Sequence, residues 1–102
     1  MAETVFSKNK FPIRLTDERW AHIIEEHCEL AGMRFEVLEA LASPSRILRG
    51  SAGELLALRE ISRKKFLVVV YRESEDDGFV ITAFVTSRIR SLNRRKQLWP
   101  EK

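Results

Sequence analysis

Between Trp20 and Leu30 the chain reads WAHIIEEHCEL, and its apolar residues recur at the spacing of a helix. On a helical wheel Trp20, Ile23, Ile24 and His27 share one face, flanked by Leu30 and Cys28, while His22, Glu25, Glu26 and Glu29 share the other. Thr16 stands where an N-cap is expected, with Asp17 and Glu18 in the first turn where the helix dipole favours negative charge. The pattern predicts a first helix over about Asp17 to Glu29. Gly32 interrupts it; Phe35, Val37, Leu38, Leu41 and Ala42 then predict a second helix over about Met33 to Ala42, which Pro44 stops. Upstream, Phe11-Pro12 followed by Ile13 and Leu15 reads as a short extended lead-in.

From Ser45 the period changes. SRILRG, ELLALREI, KFLVVVYRE and FVITAFVTS are short runs of branched and aromatic residues separated by turn-forming or polar segments. Asp77-Gly78 is the strongest hairpin signal among them. Four strands joined by hairpins make an antiparallel meander, and two amphipathic helices need its apolar face to bury their own. The expectation is one α+β domain over residues 1–102. Its core is expected at about 13–87, built as two N-terminal helices packed on a four-stranded antiparallel sheet, with a basic segment at 88–102 and a short closing helix near Ser91 to Leu98.

Charge adds a direction to this picture. The basic segment carries six Lys or Arg against one Glu, a net +5 that leaves −2 for the rest of a chain whose total is +3. Such a cluster suits a polyanion such as RNA, and it also describes a solvated tail. The chain has a single cysteine, Cys28, so no disulfide forms within it. No run near the N-terminus is long and apolar enough for a signal peptide or membrane span, and the expectation is a cytoplasmic protein.

Two histidines and a cysteine on one helix raise the question of a metal. Helical histidines that share an ion stand at i and i+4. His22 and His27 are five apart, which turns them about 140° from one another, and Cys28 points away from His27 as well. Neither a metal nor another cofactor is expected. His27, in the middle of the apolar stripe, reads either as a packed histidine with satisfied nitrogens or as an acid or base held beside the sheet.

The segment RLTDERWAHIIEEH, the helix ending LEALASPS, the strand KFLVVVYRE and a last strand carrying ITAF resemble the phage-associated nuclease-like domains of the superfamily grouped with barnase, EndoU, colicin ribonucleases and RelE. The resemblance covers about Ile13 to Thr86. It implies two helices on a four-stranded antiparallel sheet and metal-independent RNA cleavage, often as a toxin restrained by a neutralising protein partner. On this resemblance His27 matches the helix histidine and Thr82 the polar residue of the last strand, whereas Cys28 stands where the pattern usually has proline.

Such cleavage needs a base, an acid and cations at the phosphate. Arg59 interrupts the apolar row of Leu55, Ala57 and Ile61, so it is either paired with a carboxylate such as Glu73 or one on a helix, or it lines a cleft as the phosphate cation. The further cations are Arg46, Arg49, Lys64, Lys65 and Arg72, with Arg88 and Arg90 in the basic segment. Strict alternation puts Thr82 with Val80, Phe84 and Thr86, as a packing residue or a hydrogen-bonding group at the phosphate. Tyr71 is a core-edge residue, a proton donor or a base-stacking ring. The rival reading is a non-catalytic module that binds RNA or protein, although Phe84, Tyr71 and Trp99 are too scattered for an obvious stacking platform.

Overall fold

The computed structural model describes residues 2–101. Met1 and Lys102 lie outside the described residues, Lys102 being the last cation of the basic segment. The chain runs β1 (Ala2–Phe6), β2 (Pro12–Thr16), α1 (Asp17–Glu26), a 3-10 turn (Cys28–Leu30), α2 (Arg34–Ala42), β3 (Arg46–Arg49), β4 (Leu55–Ser62), β5 (Lys65–Arg72), β6 (Gly78–Thr86), α3 (Ile89–Asn93) and β7 (Gln97–Trp99). All seven strands join one sheet in the order β1-β2-β6-β5-β4-β3-β7.

The domain is therefore mixed α+β with three helices and a seven-stranded sheet, not two helices on a four-stranded meander. The meander β3–β6 is present, and three short strands extend it. β1 and β7 are edge strands too exposed or too short to show an alternating pattern, and the extended lead-in at Pro12 is strand β2. The sheet is also not wholly antiparallel, because β2 runs parallel to β6 through Ile13–Gly78 and Arg14–Phe79. The closing helix spans Ile89–Asn93 rather than Ser91 to Leu98, since residues 97–99 pair with β3.

α1 starts as its sequence dictates: the Thr16 side chain accepts a hydrogen bond from the Arg19 N–H at 3.0 Å. It ends three residues before the expected Glu29. His27 closes the helix by donating its N–H to the Ile23 carbonyl, and its φ of −132° and ψ of 71° turn the chain into the 3-10 turn. Arg34, at the first turn of α2, then ties three elements together. It meets Glu3 of β1 at 2.7 Å and Asp17 of α1 at 2.9 Å, and donates to the Leu15 carbonyl at 3.3 Å.

The sheet is covered on both faces. On one face α1, the 3-10 turn and α2 bury Ile23, Leu30, Val37 and Leu41 against Ile13, Leu15, Ala57, Leu67, Val69 and Tyr71. On the other face a smaller cluster of Leu48, Leu56, Leu58 and Val68 is closed by Leu92 and Ile89 of α3. Arg46 fastens that lid, donating at 2.8 Å to both Gln97 and Asn93. The turn between β1 and β2 docks at the far end of the first core. Ser7, 4% exposed, donates to Glu73 at 2.6 Å, the Lys8 N–H donates to the Leu41 carbonyl at 3.1 Å, and the Lys8 ammonium lies 4.7 Å over the Trp99 ring of β7.

Gly78 has no positive φ and forms no two-residue turn; it opens β6 beside β2. A Cβ there would stand 2.6 Å from the Pro12 carbonyl oxygen and 2.9 Å from that of Arg72, both backbone atoms that cannot swing aside. Gly78→Ala is therefore expected to lower unfolding free energy in urea by about 1–3 kcal/mol, the usual cost of forcing extra volume into packed structure. An unchanged urea midpoint would show that the β2–β6 contact is not the constraint it looks to be.

Candidate functional site

β2 accompanies β6 for only two residue pairs. Beyond Phe79 the outer edge of β6 meets α1 and the 3-10 turn instead of a strand, and that is where the end of α1 delivers His27. The His27 ring is one-third exposed, tilted 39° against Phe84 of β6 with centroids 6.1 Å apart. Its Nδ1 stands 3.7 Å from the Glu29 carboxylate, and its Nε2 has no hydrogen-bond partner among the described residues. An imidazole one-third exposed, with Nε2 making no hydrogen bond among the described residues, leaves that nitrogen available to a ligand.

Register identifies what stands near it. Val70 pairs with Thr82 while Tyr71 pairs with Val80, so Ile81 is an extra residue in β6. The bulge reverses the alternation: Val80 and Ala83 both face the first core, and Thr82, Phe84 and Thr86 face the other side. Thr82 is thus two residues from Phe84 on the same face, no longer in the row of Val80. Phe66 pairs with Thr86, so Lys64, at the tight β4–β5 turn with φ of 63°, lies at the end of the sheet where β6 finishes. Arg88 follows β6 directly, its N–H capped by the Thr86 hydroxyl at 3.0 Å. Arg88, Arg90 and Arg94 line a groove of about 470 Å³ along α3.

The other candidates are held elsewhere. Arg59 lies on the helix-covered face opposite Leu67, donating to the Ser43 carbonyl at 2.7 Å and standing 3.8 Å from Glu39, so it takes the helix carboxylate and does not face Phe84. An exposed pair of this kind contributes about 0–1 kcal/mol; it is position that separates Arg59 from His27, not strength. Arg46 is three strands from β6 and occupied with the α3 lid. Tyr71 is 0% exposed within the first core, where no base reaches its ring. Among the described residues no three His, Cys, Asp or Glu gather as metal ligands, and no helix is long and apolar enough to cross a membrane.

Sequence reasoning passed over Phe84 as a neighbour of His27 and gave Phe79 no role. The legible signal was a pair of phenylalanines in one strand, but the bulge hid which face each takes. These features define a mixed α+β domain with a histidine and a cationic end beside its sixth strand. No known family, curated protein or solved structure matches the chain.

The hydroxyl of Tyr71 is buried without a hydrogen-bond partner among the described residues. Burial first, and then the charge of Glu73, push its phenol well above the ordinary tyrosine range. The folded state therefore keeps a proton that an unfolded tyrosine loses near pH 10, and stability is full below that pH and falls above it. Tyr71 is the only tyrosine of the chain, so the rise in absorbance at 295 nm with pH, over the constant background of the two tryptophans, reads it alone. Tyr71→Phe is expected to match the wild type at pH 7 or exceed it by about 1 kcal/mol, since no bonded hydroxyl is lost, and to lose less stability above pH 10. A loss beyond about 2 kcal/mol at pH 7 would mean that the hydroxyl is bonded after all.

Proposed function

We propose that the domain engages RNA and cleaves it without a metal ion, with His27 as the acid or base. The observation that carries this reading is the His27 ring resting on Phe84, in the strand whose continuation brings Arg88 to the same end of the sheet. In the reaction a base removes the 2′-hydroxyl proton, the 2′-oxygen bonds to phosphorus, and the bond to the 5′-oxygen breaks as that oxygen is protonated. The open Nε2 of His27 suits either proton transfer, and Glu29 stands where it steadies the imidazolium. Lys64 and Arg88 supply positive charge for the phosphate, a role their position fits better than that of Arg59, and Thr82 offers a hydroxyl on the same face.

The resemblance of RLTDERWAHIIEEH and ITAF to ribonuclease toxins supports the same chemistry. A neutralising protein would then act by covering this end of β6. The second reading, RNA binding without cleavage, is favoured by one observation: Arg59, the cation best shaped for phosphate, is already bound to Glu39 and Ser43.

The purified protein in EDTA is expected to cleave single-stranded RNA, and His27→Ala to lose at least about 100-fold in rate while its unfolding midpoint shows that the fold survives the loss of the Phe84 contact. RNA retained intact in low salt by the wild type would replace cleavage with binding. An RNA that is neither cut nor bound removes both readings.

A further inference from the structure

The face of the sheet that α3 covers is only partly closed. α3 lies over the cluster of β3, β4 and β5 residues, against which Phe84 of β6 also packs, while Phe79 at the start of β6 and Arg14 of β2 stay exposed. There Phe79 is 40% exposed, a large apolar ring left in solvent. Its cross-strand neighbours are Arg14 on β2 and Arg72 on β5. Ile13, Leu15, Tyr71 and Val80, the chain neighbours of these three, all point into the first core, so Arg14, Phe79 and Arg72 form one row on the opposite face. Arg19 and Thr16 border the same notch.

An exposed aromatic ring bordered in one notch by Arg14 and Arg19 matches one base and its phosphates: the ring stacks on the base and a planar fork takes phosphate oxygens. The acidic neighbours do not cancel this. Arg14 meets Asp77 at 3.0 Å with both side chains about half exposed, a pair that exchanges for phosphate at little cost. The Arg72 side chain is turned the other way: it donates to the Ala52 carbonyl of the β3–β4 loop at 2.9 Å, where its charge acts on Glu54, and it does not line the notch. Phe79 and Phe84 are five residues apart in β6, roughly 15 Å at strand rise, which is the reach of a few nucleotides. The line from Phe79 through Thr82 to Phe84 and Arg88 is thus a hydroxyl- and ring-bearing track with positive charge at both ends.

We propose that Phe79, with Arg14 and Arg19 beside it, forms a second subsite on the open sheet face, which stacks a base of single-stranded RNA and holds its phosphates while the same strand runs along β6 to His27. The subsite deepens the ribonuclease reading and rests on it for the identity of the strand. It makes extended single-stranded RNA the substrate class, because a duplex offers no unstacked base to Phe79.

The test measures fluorescence anisotropy of a ten-nucleotide 2′-O-methyl RNA, which has no free 2′-hydroxyl and is not cleaved, and of a duplex of equal length. Wild type is expected to prefer the single strand. Phe79→Ala is expected to weaken single-strand binding about 5- to 150-fold, and Phe79→Tyr to restore most of it. Arg14→Gln is expected to reduce the dependence of log affinity on log salt by about 0.7. Phe79 is exposed, so a matched unfolding midpoint separates lost stacking from lost structure. Equal affinity of wild type and Phe79→Ala, or no single-strand binding by the wild type, overturns the subsite. Cleavage lost in His27→Ala with Phe79→Ala unaffected would leave the ribonuclease and remove the subsite; binding lost in Phe79→Ala with no cleavage by the wild type would do the reverse.

Discussion

Two residue pairs of parallel sheet, Ile13 with Gly78 and Arg14 with Phe79, join the N-terminal hairpin to the meander, and the rest of the architecture follows from how short that contact is. Gly78 permits it, because a side chain there would strike the backbone of Pro12 and Arg72. The contact ends after Phe79 because the chain turns at Thr16 into α1. An edge of β6 is left without a strand neighbour, and the amphipathic helix that begins at Thr16 fills it.

This geometry divides the functional residues between two faces. α1 runs beside β6 and ends at His27, so the histidine reaches the rim of the sheet and meets Phe84, which the bulge at Ile81 has turned to the far side. The same bulge keeps Val80 and Ala83 both in the first core. Without the extra residue, Phe84 would share the orientation of Val80 and the His27 contact would be lost. Arg59 shows the opposite case: its strand has no bulge before it, its alternation holds, and it ends under α2 with Glu39 and Ser43.

Much of this was legible in the sequence. The 3.6-residue stripe of WAHIIEEH gave α1 its place and its cap, and the apolar runs of ELLALREI and KFLVVVYRE gave β4 and β5, because burial imposes a period on each. The pairing of Arg59 with a helix carboxylate was one of two readings left open, and the structure takes that one. Four things were not legible. β1 has only Val5 partly buried, so no face of it alternates strongly, and β7 is three residues long. The bulge leaves no composition signal, and Asp77-Gly78 looks like a turn pair although Gly78 serves a close approach between strands. Each of these depends on partners distant along the chain, which local periodicity does not encode.

The place of the hairpin in the sheet also sets an order of events during folding. β1 and β2 are adjacent in sequence and pair through a short turn, but the free edge of β2 has no partner until β6 exists and already lies against β5. Closing the chain from Ile13 to Gly78 before the meander forms would sacrifice the entropy of the whole intervening segment for two residue pairs. The meander β3–β6, with local links throughout, is the natural nucleus, and the hairpin docks onto it last. The contact of Lys8 with Trp99 then bridges the first loop of the chain and its final strand, elements from opposite edges of the sheet, and it forms only once both ends have arrived.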